Sequence, residues 1–235
     1  MPWIHGLAHV LLGEPASIFA GTCASGRMMP RRDGLTVIKI GGSCAASLDL
    51  RRWTGAVAAC AGRTVVVPGG GPFADAVRAA QPMMDFDDAA AHHMALLGME
   101  QFGRALASFD ARLSPADSIA ALRRGLRDGK VPVWLPSRMT LAAADVPASW
   151  DVTSDSLAAW LAGRLGARRL VLMKQVAPPG EPADRLAARG IVDKTFPQFL
   201  AASGVPALML GPADHMAVAN ALCDDPQIGT PIALR

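Results

Sequence analysis

Short apolar runs alternate along this chain with longer stretches in which apolar residues recur every three or four positions. The runs predict strands buried on both faces, at Leu35–Ile40, Thr64–Val67, Val131–Leu135, Arg169–Met173, Ala207–Leu210 and Thr230–Leu234. The periodic stretches predict helices at Leu48–Cys60, Phe73–Ala80, Asp87–Ser108, Pro115–Leu126, Ser154–Leu165, Phe196–Ala202 and His215–Leu222. This alternation predicts an α/β protein, a three-layer α/β/α sandwich with a mainly parallel central sheet.

Two of the predicted strands break into glycines immediately before a helix. The first reads Leu35 to Ser43, with glycines at 41 and 42, and the second reads Thr64 to Pro72, with glycines at 69, 70 and 71. Such a junction leaves backbone N–H groups unpaired at the positive end of a helix dipole, which is a favourable place for phosphate. Lys39 lies just inside the first turn, so the pattern indicates an enzyme that moves a phosphoryl group.

Two other kinds of nucleotide-binding loop fit the chain less well. The Gly-x4-Gly-Lys-Ser/Thr loop is missing, because Gly129-Lys130 is followed by valine and has no glycine at the required offset. The segment from Gly69 to Ala74 fits the dinucleotide pattern, but no second strand ending in an acidic residue follows about twenty residues on. A hydride-transfer enzyme therefore ranks below a kinase.

Composition restricts the class of protein further. With 235 residues, 51% hydrophobic and 18% charged, the chain is globular, and a net charge of +3 does not indicate a nucleic-acid partner. The four cysteines have no zinc-site spacing and are expected to be reduced thiols. No membrane span or signal peptide is predicted, so we expect a cytoplasmic protein. Residues 1–34 are interpreted as an N-terminal extension of uncertain structure.

Two polar clusters lie in the second half of the chain. Trp150 to Ser156 carries five polar groups in seven positions at the start of a predicted helix. Helix capping accounts for one or two of these groups and does not require the rest. The segment Gly190 to Phe196 contains Lys194, which on its own is as compatible with a solvated lysine as with a site residue.

Taken in order, these segments and the closing strand Ile228–Ile232 resemble the amino-acid kinase superfamily. That superfamily includes acetylglutamate, carbamate, uridylate and isopentenyl phosphate kinases. The resemblance implies one kinase domain at 35–235, with an acceptor-side half at 35–145 and a nucleotide-side half at 146–235. It also implies ATP and Mg²⁺ as cofactors, a small phosphorylated molecule as substrate, and a homodimer or higher homo-oligomer.

The resemblance also implies roles for individual residues. Lys39 would contact the transferring phosphoryl group from one side, Lys194 would approach it from the nucleotide side, and Asp155 would hold both lysines. Lys174, Asp193 and Lys194 would lie on the nucleotide side, although Lys174 fits a solvated lysine equally well. No protein ligand for a metal is expected. Phosphate or acceptor binding is assigned to Gly41, Gly42, Ser43, Gly69, Gly70, Gly71, Asp151, Thr153 and His93.

The segment Trp150–Ala158 resembles the small kinases of methanofuran biosynthesis. Their acceptor is the phosphate of an aminomethyl-furan-methanol, so the resemblance would place Asp151 or Asp155 near the substrate's ammonium. In isopentenyl phosphate kinases a helical histidine contacts the acceptor phosphate, which makes His92 or His93 a candidate, and we assign His93.

Two alternatives stay open at this point. The first is a carboxylate kinase of the same fold, which an arginine beside the second glycine turn would favour, and Arg78 is the nearest. The second is a non-catalytic nucleotide-binding protein, because the family commonly has an acidic turn where this chain reads Lys174 to Pro179.

Overall fold

The computed structural model describes residues 34–214, 222 and 228–235. The strands are β1 (Thr36–Ile40), β2 (Thr64–Pro68), β3 (Leu113–Ala116), β4 (Val131–Trp134), β5 (Arg169–Met173), β6 (Ala207–Leu210) and β7 (Thr230–Ile232). The helices are α1 (Leu50–Ala59), α2 (Gly71–Met84), α3 (Asp88–Ala107), α4 (Ile119–Arg127), α5 (Ser137–Leu141), α6 (Ser154–Leu165), α7 (Ala183–Ala188) and α8 (Phe196–Ser203). Short 3-10 turns cover Gly42–Ala46 and Pro212–Asp214.

The strands form one sheet in the order β3-β4-β2-β1-β5-β6-β7. All neighbouring pairs are parallel except β6 with β7. Side chains of β1 alternate between two apolar clusters, with Val37 in one and Ile38 in the other. Helices therefore cover both faces of the sheet, which confirms the predicted three-layer α/β/α sandwich.

Most of the predicted elements are present, and the differences have local causes. The predicted helix at Pro115–Leu126 begins only at Ile119, where Ser118 caps it, because Leu113–Ala116 forms the short strand β3 instead. A four-residue strand that contains a proline carries almost no apolar pattern, and α5 and α7 are similarly too short to show a helical period. The predicted helix at His215–Leu222 lies outside the described residues, apart from Leu222.

The strand order places the two halves of the chain on opposite sides of β1. Strands β2, β3 and β4 lie on one side of β1, and β5, β6 and β7 lie on the other. The order therefore reverses between β1 and β5, and ligands of open α/β sheets bind at the carboxyl ends of the strands at such a point. Lys39 in β1 is opposite Leu172 in β5, so the residue after β5, Lys174, emerges beside it.

Two further findings concern the cysteines and the helices. Cys44 is a free, buried thiol. Cys60, which follows α1, is disulfide-bonded, so the expectation of four reduced thiols is wrong. Within the described ranges, none of the helices has both the length and the apolar character needed to cross a lipid bilayer.

Candidate active site

The two glycine turns pack directly against each other. A Cβ atom on Gly69 would lie 2.2 Å from the backbone nitrogen of Gly42, and one on Gly42 would lie 2.4 Å from that of Gly71. Both distances are far below van der Waals contact, so a side chain at either position would force the turns apart. The turns after β1 and β2 therefore form one continuous surface.

Only some of the glycines in this surface have N–H groups to offer. Gly41 donates its N–H to the carbonyl of Met173 at 3.2 Å, and Gly69 donates to the carbonyl of Ile40 at 2.8 Å. These two N–H groups close the turns, so they are already bonded within the protein and are not open to a phosphate. Other residues of the turns stand at helix starts, where N–H groups lack partners inside the helix, and line a cavity: Gly42, Ser43, Gly70 and Gly71.

A buried carboxylate joins two lysines beside these turns. Asp155 is the second residue of α6. Its Oδ1 lies 2.9 Å from Nζ of Lys39, and its Oδ2 lies 2.6 Å from Nζ of Lys174. The side chains of Lys39 and Asp155 are 5% exposed and that of Lys174 is 11% exposed. With both lysines protonated, the three side chains carry one net positive charge in a site with little solvent.

The environment changes the pKa values of this group. Burial raises the pKa of Asp155, but the ammonium groups of Lys174 and Lys39 outweigh burial and lower it to about 2. Burial also lowers the pKa of Lys174, and the carboxylate of Asp155 counteracts that effect only in part. Asp155 is therefore fully ionised at neutral pH, while the protonated form of Lys174 is less favoured than in an exposed lysine.

Lys194 is not one of the two lysines that Asp155 holds. Its side chain is 77% exposed, and Nζ lies 2.9 Å from Oδ2 of Asp151. Asp155 holds Lys39 and Lys174 rather than Lys39 and Lys194, because Lys174 follows the strand next to β1, whereas Lys194 lies on the separate loop before α8. Lys174 is also not the solvated lysine that the sequence left open.

The carboxylate of Asp193 accepts hydrogen bonds from the start of α6. Its Oδ2 accepts hydrogen bonds from Thr153 N at 3.0 Å, Thr153 Oγ1 at 2.9 Å and Ser156 N at 2.9 Å, and its Oδ1 accepts one from Ser156 Oγ. It thereby caps α6 from a position 37 residues beyond Ser156. Burial, followed by the charge of Asp155, raises the pKa of Asp193. Its assigned role on the nucleotide side does not fit a carboxylate that is occupied in this way.

A cavity of about 270 Å³ opens beside the glycine turns. Its walls come from α2, α3 and the segment Ser149–Ser154, with Leu96, Met99 and Leu157 as apolar wall residues. Thr153 lines it, whereas Asp151 and Asp155 are not among its lining residues. Polar side chains that line it include Ser43, Asp75, Arg78, His92, Ser149 and Trp150.

His92, and not His93, lines this cavity. His92 is 7% exposed, whereas His93 is exposed, so the structure favours His92 over the assigned His93 for contact with a ligand in the cavity. The two neighbours differ in helix phase, since adjacent helical residues point about 100° apart. Burial lowers the pKa of His92, although a hydrogen bond with the backbone of Ser149 opposes that effect, so the imidazole is neutral near pH 7.

Asp75 and Trp150 line the cavity beside Arg78, and the sequence analysis gave neither of them a role. The Arg78 guanidinium lies 4.5 Å from the centroid of the Trp150 ring and 3.1 Å from Oδ1 of Asp75. Trp150 also donates its indole N–H to Gln81 at 2.6 Å. The i,i+3 spacing of Asp75 and Arg78 on a predicted helix indicates a pair on one face, but nothing in the sequence places Trp150 against that face.

The described residues offer no cluster of three or more His, Cys, Asp and Glu side chains that could hold a metal. Asp155 and Asp193 are each fully engaged by protein groups. A divalent cation that is already coordinated by nucleotide phosphates fits this site better than a resident ion, because Mg²⁺ commonly binds through substrate phosphates and retained waters. The cationic lysines suit the anionic phosphates of such a complex.

The chain is similar in sequence to a known family and to a protein of known activity. Residues 34–178 match the model of the amino acid kinase family. The [5-(aminomethyl)furan-3-yl]methyl phosphate kinase of Methanocaldococcus jannaschii is 28% identical over 149 residues, which cover 59% of this chain and 68% of that protein.

Solved structures of uridylate kinases have a similar fold. The uridylate kinase of Archaeoglobus fulgidus superimposes with a TM-score of 0.65 at 16% identity, covering 85% of this chain and 100% of that chain. The UMP kinase of Bacillus anthracis superimposes with a TM-score of 0.61 at 16% identity, covering 85% of this chain and 96% of that chain. The UMP kinase of Ureaplasma parvum superimposes with a TM-score of 0.58 at 15% identity, covering 79% of this chain and 95% of that chain. At these identities the likeness shows the fold alone.

Proposed function

Because the chain belongs to the amino acid kinase family, we propose that it transfers the γ-phosphoryl group of ATP to a small phosphorylated acceptor. The family resemblance read from the sequence motifs is thereby confirmed, and the chain is a kinase of the phosphotransferase class. The nature of the acceptor and the roles of individual residues are our proposal.

The observation that carries the proposal is the buried group of Lys39, Asp155 and Lys174. A phosphoryl transition state is loose and anionic, so catalysis consists mainly of positioning and of fixed positive charge. Asp155 holds both ammonium groups in place and balances only one of them. The remaining positive charge lies at the switch point of the sheet, beside the N–H groups of the glycine turns, where it would stabilise a transferring phosphoryl group.

The cavity next to this group suits the acceptor. The N–H groups of Gly42 and Gly71 and the neutral imidazole of His92 offer hydrogen bonds to a phosphate. The apolar residues Leu96 and Met99 leave room for a compact, partly apolar body. We therefore propose [5-(aminomethyl)furan-3-yl]methyl phosphate as acceptor and its diphosphate as product, as the name of the related Methanocaldococcus jannaschii kinase suggests. Such a reaction would serve methanofuran-type cofactor biosynthesis.

The second half of the chain would bind the nucleotide. Lys174 would contact the transferring group together with Lys39, and Lys194, at the exposed end of its loop, would approach the nucleotide phosphates after leaving Asp151. Asp193 would fix this loop to the start of α6 and thereby set the position of Lys194 relative to Asp155. Mg²⁺ would enter with ATP and neutralise phosphate charge.

Incubation of the protein with Mg-ATP and a panel of phosphorylated alcohols tests this function. We expect ADP release that depends on the acceptor and is fastest with the aminomethyl-furan phosphate. Uridine monophosphate and isopentenyl phosphate serve as competing members of the panel. Absence of ADP release with every member would refute the proposal.

One observation favours a second function, a carboxylate kinase that forms an acyl phosphate. Arg78 lines the same cavity as Gly70 and Gly71, which is the position that a carboxylate-binding arginine would take. Against it, the guanidinium is already held by Asp75 and by the ring of Trp150. Hydroxylamine distinguishes the two functions, because it traps an acyl phosphate and does not react with a diphosphate under the same conditions.

We also propose that the protein is a cytoplasmic homo-oligomer. Apolar side chains on the outer surface of α2 and α3 support this assembly: Phe73, Met83, Met84, Met94 and Leu97. A helical pair with several large exposed apolar residues gains stability by association. Light scattering after gel filtration would measure the mass, and a monomer at micromolar concentration would contradict the assembly.

A further inference from the structure

We propose that Asp75 forms a cation-binding subsite at the outer end of the acceptor cavity, so that the preferred acceptor carries an amine as well as a phosphate. This inference rests on the proposed function of the site and names the chemical feature by which the enzyme would select its acceptor.

The charges on the cavity wall support this subsite. Asp75 is the one carboxylate and Arg78 the one permanent cation among the described residues that line the cavity. His92 adds no charge near pH 7, because burial lowers its pKa. Asp155, which is bound by two lysines, and Asp151 are not among the residues that line the cavity, so Asp75 is the carboxylate placed to meet a ligand there.

The free oxygen of Asp75 is available to a ligand. Arg78 contacts Oδ1 at 3.1 Å, and Oδ2 has no partner within the part of the chain that the structure describes. A carboxylate can hold a different cation on each oxygen, as Asp155 does with Lys39 and Lys174 in this same protein. The Arg78 guanidinium also lies 4.5 Å from the centroid of the Trp150 ring, so it has a second contact besides Oδ1 of Asp75.

The position of Asp75 along α2 sets the spacing of the two charges. It lies four residues after Gly71, so the rise along the helix is about 6 Å. A phosphate held at the glycine turns would leave a cation at the other end of a small molecule close to Asp75. Ala74, Leu96 and Met99 also line the cavity, which suits an uncharged ring or short chain. Because the carboxylate is 72% exposed, we expect selectivity of moderate size.

The test compares two acceptors in two proteins. The first acceptor is the aminomethyl-furan phosphate, and the second is the same molecule with a hydroxyl group in place of the amine. In the wild type we expect the amine to be preferred in kcat/KM and in binding measured by calorimetry. In Asp75→Asn we expect kcat/KM for the amine to fall roughly tenfold, in line with the weaker end of charged hydrogen bonds. For the hydroxyl acceptor, kcat/KM should change less than about twofold in the same variant.

Asp49→Asn is the matched control for this variant. Asp49 pairs with Arg52 at 3.1 Å with the same i,i+3 spacing, but it does not line the cavity. The control should leave unchanged the ratio of kcat/KM for the amine acceptor to kcat/KM for the hydroxyl acceptor. A thermal melt of each variant would show that both are folded.

The possible results separate this inference from the proposed function. Transfer to both acceptors, with a preference that Asp75→Asn does not change, would overturn the subsite and leave the kinase intact. Binding of the amine that depends on Asp75 but leads to no transfer would support the subsite and refute the function. Absence of binding of either acceptor to the wild type would overturn the subsite as well.

Discussion

Lys174 Nζ lies 2.6 Å from Oδ2 of Asp155, across a separation of 19 residues in the chain. The contact arises because β5 ends next to β1, so that the residue that follows β5 faces the start of α6. It places a second buried ammonium beside the one that Lys39 supplies. The arrangement makes Lys174, rather than Lys194, the partner of Lys39 in our account of phosphoryl transfer.

Replacing either buried lysine by alanine should reduce turnover strongly. We expect Lys39→Ala and Lys174→Ala each to lower kcat roughly 100- to 1,000-fold, by analogy with the loss of other preorganised contacts to transition-state charge. The fold should persist, because one lysine still balances Asp155 in each variant. Steady-state kinetics and a thermal melt would measure both effects, and Lys130→Ala, a surface lysine bonded to the Ala111 carbonyl, is the control. Near-normal turnover in either variant would contradict the assignment of that lysine.

The pH dependence should carry the signature of Lys174. Burial lowers its pKa, so the folded enzyme loses this proton at a lower pH than an exposed lysine does. Activity should therefore fall on the alkaline side below the usual lysine range, and Lys174→Arg should move that fall to higher pH, because a guanidinium stays protonated. Asp155, with a pKa of about 2, should produce no acidic limb near neutral pH. An alkaline limb that does not move in Lys174→Arg would show that another group titrates.

Loss of Asp193 should affect both stability and turnover. Asp193→Ala removes the cap of α6, which costs about 0.5–2 kcal/mol in the free energy of unfolding. It should also lower kcat, because the cap positions Asp155 and the loop of Lys194, and Asp193→Asn should restore part of both. Ser118→Ala removes the cap of α4 at Ala121 N and should destabilise the fold without lowering kcat. An equal decrease of kcat in Asp193→Ala and Ser118→Ala would indicate a purely structural role for Asp193.

The two adjacent histidines should behave differently. His92→Ala should raise the KM for the acceptor about two- to tenfold, the size of one net hydrogen bond, because the imidazole lines the cavity. His93→Ala should leave the KM unchanged, because that side chain is exposed. Kinetics at saturating ATP would separate the acceptor KM from nucleotide effects. A larger effect at His93 would place the acceptor on the other side of α3.

Glycine-to-alanine variants should distinguish close packing from backbone freedom. Gly69→Ala places a Cβ 2.2 Å from the backbone nitrogen of Gly42, so it should destabilise the protein and separate the two turns. Gly55→Ala, inside α1 with nothing within 4 Å of the added Cβ, should stabilise it by about 0.5–1 kcal/mol. Chemical denaturation would measure both values. A neutral effect of Gly69→Ala would contradict the close packing of the turns.

The sequence predicts the framework of this protein well, and the physical reason is local. The apolar runs at β1, β2 and β5 and the glycines after the first two fix the sheet and its carboxyl edge, so Lys39 could be placed at the site. Asp155 follows from the polar start of α6, because several polar groups there exceed what one cap requires.

The remaining site residues depend on contacts that the sequence does not encode locally. Lys174 and Lys194 both follow recognisable segments, and only the strand order decides which of them reaches Asp155. The choice between His92 and His93 depends on the rotation of α3 against α2, which is set by the close approach of Gly98 to Ala74. Asp193 caps α6 from a distant loop, so a motif that looks like part of a ligand site proves to be an internal contact.

The most direct test of the central claim is ³¹P NMR of the reaction with Mg-ATP and the aminomethyl-furan phosphate. Our account predicts that the acceptor resonance is replaced by the coupled doublets of a diphosphate while ADP forms in equal amount, and that Lys174→Ala greatly slows both. An unchanged acceptor resonance in the presence of the wild type would contradict the account, as would a diphosphate that Lys174→Ala forms at the wild-type rate.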